Sequence, residues 1–341
     1  MTPSVIRIID NRHPLVILGL QINLGNALHS QLFRSGNDDD TATNDATKTA
    51  YDHATTRAVS NEWLERIASL YDEPHRAYHN ANHVEDVLAS LDVLSGSKTR
   101  RPRTSPSERA DADEAAAATL TLAAFFHDAV YDPKSSSNEE DSAVLFLDFA
   151  TDLATGIARA VDANGGGGVI DVDDEDGRGD PSVETRTAIV RSHEMVARVE
   201  EFVVATATHV SSAKRAAASD GGSLLAAFLD ADMSVLGRDE RGYRKYAASI
   251  REEYEFVPRD TYCEKRAEIL ELFLPVEDSG EAQGRADDTD AIISESSRGE
   301  GKTHEFIYAT ERGRELWEDR ARQNLRGEID MLRQGAIPGE K

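Results

Sequence analysis

Two short segments hold residues whose types and spacing suit metal chemistry: Tyr78-His79-Asn80-Ala81-Asn82-His83 and, further along the chain, Phe126-His127-Asp128. Imidazole and carboxylate are the ligands that hold borderline divalent cations, and an adjacent His-Asp doublet is uncommon in a chain with ten histidines. If both segments face one cavity, His83, His127 and Asp128 form a ligand set for a divalent ion that activates water for hydrolysis. His79 and His83 are four residues apart and so share one face of a helix, about one turn from each other. That spacing alone fits a ligand pair or a coincidence on a core or surface face; the doublet downstream weighs toward metal.

Helices must do the positioning. Val59, Trp63, Ile67 and Leu70 recur at helical spacing, as do Val84, Val87, Leu88, Leu91 and Leu94, so each segment buries one stripe. Ala115 to Phe126 is apolar almost all round and predicts a central buried helix that ends at the doublet. Ser137 and Glu140 form a capping-box pattern ahead of Val144, Leu145 and Phe149, so a helix begins just after the loop that follows His-Asp and keeps that loop near the site. Further helices are expected over 187–209, 224–236 and 242–254, from Pro258 onward, and over 311–332. No strand alternation appears, and the expectation is an all-α fold: one compact helical domain over 46–334.

Three polar inserts interrupt it, near 96–113, 151–185 and 277–301, and their Ser, Gly and Asp content reads as flexible loop. The second has nine acidic against two basic residues and the third eight against two, so together they carry −13 of the formal charge of −25. Much of the acidity is therefore remote from the chemistry. Residues 1–45, which include Asp38-Asp39-Asp40, lack sustained periodicity and read as a poorly ordered segment.

With 39% hydrophobic residues the chain has material for a core, and its acidity repels polyanions, which argues against nucleic acid and anionic membranes as partners. No apolar run approaches the ~20 residues a membrane span needs. The short apolar patch from Leu15 to Leu24 lacks a cleavage pattern, and the single Cys263 excludes an internal disulfide framework, so a cytoplasmic location is expected.

The motifs resemble the HD superfamily of metal-dependent phosphohydrolases, and a small branch of it in particular. That branch carries Arg-x-Tyr-His-Asn-x-x-His, here Arg76 to His83; Phe-His-Asp-x-x-Tyr-Asp, here Phe126 to Asp132; and Asn-Glu-Glu-x-Ser-Ala, here Asn138 to Ala143. Thr206 to His209, Leu229 to Gly237 and Ile250 to Tyr254 match its later motifs in order. Where the branch shows Tyr-x-x-Gly-Arg, this chain has Tyr262-Cys263-Glu264-Lys265-Arg266, and Lys265 puts in question a close backbone approach there.

The resemblance implies an HD-type bundle in which His83, His127, Asp128 and a distal aspartate bind the metal. By comparison with the distant cyclic-nucleotide phosphodiesterases, Asp232 of Asp232-Met233-Ser234 is that aspartate, and His79 gives a proton to the leaving oxygen. Imidazole titrates near ~6.5 in water, which suits the role at neutral pH. Asp128 or Asp232 would orient the water. Mixed His and Asp ligands suit Mn, Fe, Zn, Co or Ni, with room for a second, water-rich Mg position.

Other residues stand open between two roles each. Glu139 holds a water of the metal through its carboxylate, or has a structural part only, whereas Glu140 is explained as a cap. His209 takes a second metal or phosphate, or is a satisfied helix-terminal histidine. Arg76 and Arg251 clamp phosphate, or make structural ion pairs. Tyr243, Tyr246 and Tyr254 read as core, and His53, His75 and His193 as structural. The implied activity is hydrolysis of a small phosphate ester, a nucleotide foremost; a di-iron oxygenase of the same superfamily and a noncatalytic nucleotide-binding module are the alternatives. Oligomeric state has no signature in the sequence.

Overall fold

A computed structural model describes residue 59 and residues 62–96, 106–163, 183–218, 224–274 and 305–339. The described residues are helical, with no strand among them, so the all-α expectation holds. The expected N-terminal segment 1–45 and insert 277–301 lie outside them. Two inserts shrink: residues 106–113 form the first turns of one helix, and residues 151–163 continue another. Where the sequence suggests one domain over 46–334, the chain groups into two compact units that divide between Ala207 and Thr208.

The first unit contains α1 (62–71), α2 (Ala81–Ser95), α3 (Pro106–Phe126), α4 (Asn138–Ala163) and α5 (Val183–Ala205). Its core is an aromatic cluster placed just before the His-Asp doublet. Phe126 lies with ring centroids 5.3 Å from both Phe146 and Phe149 of α4, and Trp63 of α1 meets Phe149 edge-on at 5.6 Å. Tryptophan and tyrosine bury their rings and still need a partner for the polar atom. Trp63 Nε1 accordingly donates to Asp152 Oδ2 at 3.0 Å, and Tyr71 Oη donates to the Phe125 carbonyl at 3.1 Å. The last turn of α3 is thereby held from two sides, and Ala123 and Ala124, both fully buried, allow close packing there.

The loop after the doublet is sewn to the start of α4 by two reciprocal pairs. Ser142 Oγ accepts from Val130 N at 3.0 Å and donates to Val130 O at 3.2 Å. Asn138 Oδ1 accepts from Asp132 N at 2.9 Å while Asn138 Nδ2 donates to Asp132 O at 3.0 Å. Helix α4 starts where expected, but Ser137 does not join Glu140 in a capping box: its hydroxyl donates to Asp141 Oδ2 at 2.8 Å. Asn138 and Ser142 do the tying instead.

The second unit contains α6 (His209–Ala218), α7 (Leu224–Asp232), a 3-10 turn (Met233–Gly237), α8 (Glu240–Glu253), α9 (Arg259–Phe273) and α10 (Glu311–Arg333). The spacing of Leu316, Ala321, Leu325, Ile329 and Leu332 predicts the inner face of α10; the last four are buried there, and Leu316 is half-buried. Two buried carboxylates organise the approach to α10. Glu318 accepts from Ile307 N and Tyr308 N, and Asp230 accepts from Ala309 N, Thr310 N and Thr310 Oγ1. Lys265, at the position where the resembled branch has glycine, is exposed and pairs with Glu268 at 3.0 Å, so it obstructs nothing.

Candidate metal centre

Asn80 begins the site. Its backbone is extended and its side chain accepts from Asn82 N at 2.9 Å, so it caps α2. His83 therefore sits in the first turn of α2, while His79 precedes the cap. This corrects the expectation that His79 and His83 share one helix face, although their rings remain 6.0 Å apart. The Asn80 cap competes successfully with helix at residue 79.

His127 and Asp128 leave the end of α3 and meet His83. His83 Nε2 lies 3.0 Å from His127 Nε2, Asp128 Oδ2 lies 3.0 Å from His127 Nε2, and Asp128 Oδ2 lies 3.4 Å from His83 Nε2. Donors about 2.1 Å from a shared ion are about 3.0 Å apart at right angles and about 3.4 Å apart at a tetrahedral angle. The three atoms match that spacing, and together they form a group able to hold a metal ion.

The protonation pattern supports the same use. His127 Nδ1 is 3.1 Å from the Ala124 carbonyl, which accepts only, so Nδ1 carries the proton and Nε2 of the neutral ring presents a lone pair. A lone pair and a carboxylate oxygen 3.0 Å apart repel unless a cation, proton or metal, lies among them. With the rings protonated in place of a metal, burial raises the Asp128 carboxyl, but the charges of His127 and His79 and hydrogen bonds from His127 and His83 outweigh it and hold the group well below the usual carboxylate range. The imidazoles of His83 and His127 are buried, whereas Asp128 keeps 17% of its side chain exposed, so the centre opens on the carboxylate side.

His79 borders this centre. Its ring stacks on Tyr131 at 4.3 Å and meets Tyr78 edge-on at 5.0 Å. Nothing in the sequence singles out Tyr131, although it stands in the Phe126 to Asp132 motif; His75 has the structural part its sequence context predicts, with Nε2 2.8 Å from the Tyr131 carbonyl and its ring stacked on that of Tyr131. Glu139 stands in the first turn of α4, half-buried and three residues before Ser142.

The two arginines do not stand free for phosphate. Arg76 has no exposed side-chain surface, and its guanidinium donates to Glu73 and to the carbonyls of His79, Asp128 and Ala129. Arg251 Nη1 donates to the Tyr254 and Val257 carbonyls, closing the end of α8, and the guanidinium lies over the Tyr262 ring at 4.7 Å. Arg76 thus makes the structural ion pair of its alternative role, whereas Arg251 spends Nη1 on carbonyls. In the second unit, the expected ligand Asp232 places Oδ2 3.0 Å from His209 Nε2, so these two residues form a His-Asp pair of their own. His193 is exposed on α5, and His53 lies outside the described residues.

No family model, curated protein or solved structure matches the chain. Among the described residues, no helix is long and apolar enough to cross a membrane.

Proposed function

We propose that the chain is a metal-dependent phosphohydrolase that acts on a small phosphate ester, a nucleotide foremost, within the HD superfamily its motifs resemble. The observation that carries this reading is the convergence of His83 Nε2, His127 Nε2 and Asp128 Oδ2 within 3.0 to 3.4 Å, with His79 alongside. A divalent ion held there supplies the Lewis acidity that activates water and polarises a phosphoryl oxygen. His83 and His127 would hold it as neutral imidazoles, the Ala124 carbonyl fixing the His127 tautomer that leaves Nε2 for the ion. Asp128 orients the attacking water on its exposed side. His79, supported on Tyr131, delivers a proton to the departing oxygen.

Metal analysis of the purified protein, followed by phosphate release across a panel of nucleotides with Asp128→Ala in parallel, tests the proposal. A wild type that holds no transition metal and releases phosphate no faster than Asp128→Ala would sink it. A second reading has one observation in its favour: two histidines and one carboxylate are also the ligand set of non-haem iron oxygenases. Oxygen consumption by the iron-loaded protein, without phosphate release, selects that alternative.

A further inference from the structure

The geometry points to Arg76 as the positioning residue that sets the distance between the two motif segments, an inference that rests on the metal-centre reading above. Arg76 Nη1 bridges them directly, donating to the His79 carbonyl at 3.1 Å and to the Asp128 carbonyl at 2.6 Å. Nη2 extends the contact to the Ala129 carbonyl at 2.9 Å, and Nε is held by Glu73 Oε2 at 2.9 Å. A guanidinium is a rigid planar fork, so carbonyls bound to it keep a fixed separation. The proton donor assigned to His79 and the ligand Asp128 thus share a single nitrogen as their mechanical link.

The surroundings explain why a cation is tolerated there. An unpaired buried charge is costly, and this one is met by a carboxylate, three carbonyls and the faces of Tyr71 and Tyr131, with ring centroids 5.2 and 5.4 Å away. Tyr131 is also the ring on which His79 stacks, so Arg76 supports His79 both through its backbone and through that neighbour. Lysine keeps the charge but has one nitrogen, and it cannot reach all four oxygen partners in one plane. A phosphate clamp would need donors facing solvent, and the Arg76 side chain has none.

The test uses the full chain as wild type, Arg76→Lys and Glu73→Gln, with Leu153→Val as a core control about 22 Å along α4 from its start. Histidine-ring nitrogen and proton signals are recorded without metal, and Mn²⁺ affinity is measured by calorimetry. Arg76→Lys is expected to shift the His79 and His127 signals and to weaken Mn²⁺ binding by roughly 10- to 100-fold, as loss of an outer support does. Glu73→Gln should move the same signals less, and it decides the matter if Arg76→Lys does not fold. Unchanged ring signals in both variants overturn the inference, as does an equal shift in Leu153→Val. If the wild type binds no Mn²⁺, the metal reading fails, while the ring signals still decide the role of Arg76.

Discussion

His83 and His127 face each other through their Nε2 atoms at 3.0 Å, and the Asp128 carboxylate lies against both. Because the Ala124 carbonyl takes the Nδ1 proton of His127, no hydrogen bond from a neutral His127 ring can satisfy Asp128. A shared cation can. Asp128→Asn keeps the shape and removes the charge, so it is expected to lower affinity for Mn²⁺ or Zn²⁺ by at least ~100-fold, since a ligand counts for more than an outer support. Metal content after dialysis, by plasma mass spectrometry, checks this; a fully loaded variant would show that the Asp128 charge takes no part in holding the ion.

His79 separates binding from chemistry. It borders the centre without joining the three converging atoms, and it stacks on Tyr131. His79→Asn should therefore retain metal while phosphate release falls by roughly 10² to 10⁴, the usual loss when a positioned acid is removed. Parallel metal analysis and turnover on the best substrate of the nucleotide panel provide the check. Loss of metal with loss of turnover would make His79 a ligand or a support rather than a proton donor.

The parts of this structure that were legible in the sequence are those written in side-chain periodicity and caps. Pro258 and the stripe Ala321, Leu325, Ile329 and Leu332 mark α9 and α10 within a residue or two, and the His-Asp doublet does meet His83. What stayed hidden depends on backbone atoms. The partners of Arg76 are mainly carbonyls, which every residue carries, so the sequence cannot tell a structural pin from a phosphate clamp. His79 fell outside its expected helix because a single side chain, Asn80, caps α2 one residue later. The division at Ala207 and Thr208 reflects the density of packing, which hydrophobic spacing does not encode.

Gly237 closes the Leu229 to Gly237 motif for a steric reason. A Cβ built on it would stand 2.8 Å from Trp317 Cα and 2.9 Å from Trp317 O, which are backbone atoms of α10 and cannot rotate away. Asn324 Nδ2 fixes the same approach by donating to the Leu236 and Arg238 carbonyls at 2.7 and 2.9 Å. Gly237→Ala must push the turn off α10 and is expected to cost about 1–3 kcal/mol. Urea denaturation followed by circular dichroism measures it; a variant as stable as wild type would mean that the turn and α10 separate without penalty.

Asp230 predicts a pH dependence. Burial pushes its carboxyl up to about 6, against the hydrogen bonds from Thr310 and Ala309 and the charge of Arg314, which pull it down. An unfolded aspartate titrates near ~3.9, so between roughly pH 4 and 6 the folded chain binds more protons than the unfolded one. Stability assigned to this group is then greatest at the acid end and falls as pH rises through the window, by at most about 3 kcal/mol for a shift of roughly two units. The carboxylate nevertheless holds Ala309 N, Thr310 N and Thr310 Oγ1, so the ionised form remains seated at neutral pH. Unfolding free energies of wild type and Asp230→Asn, compared from pH 4.5 to 7, isolate the group. The wild type should lose ground relative to Asp230→Asn as pH rises; parallel profiles would show that the hydrogen bonds cancel burial, and the opposite trend that they outweigh it.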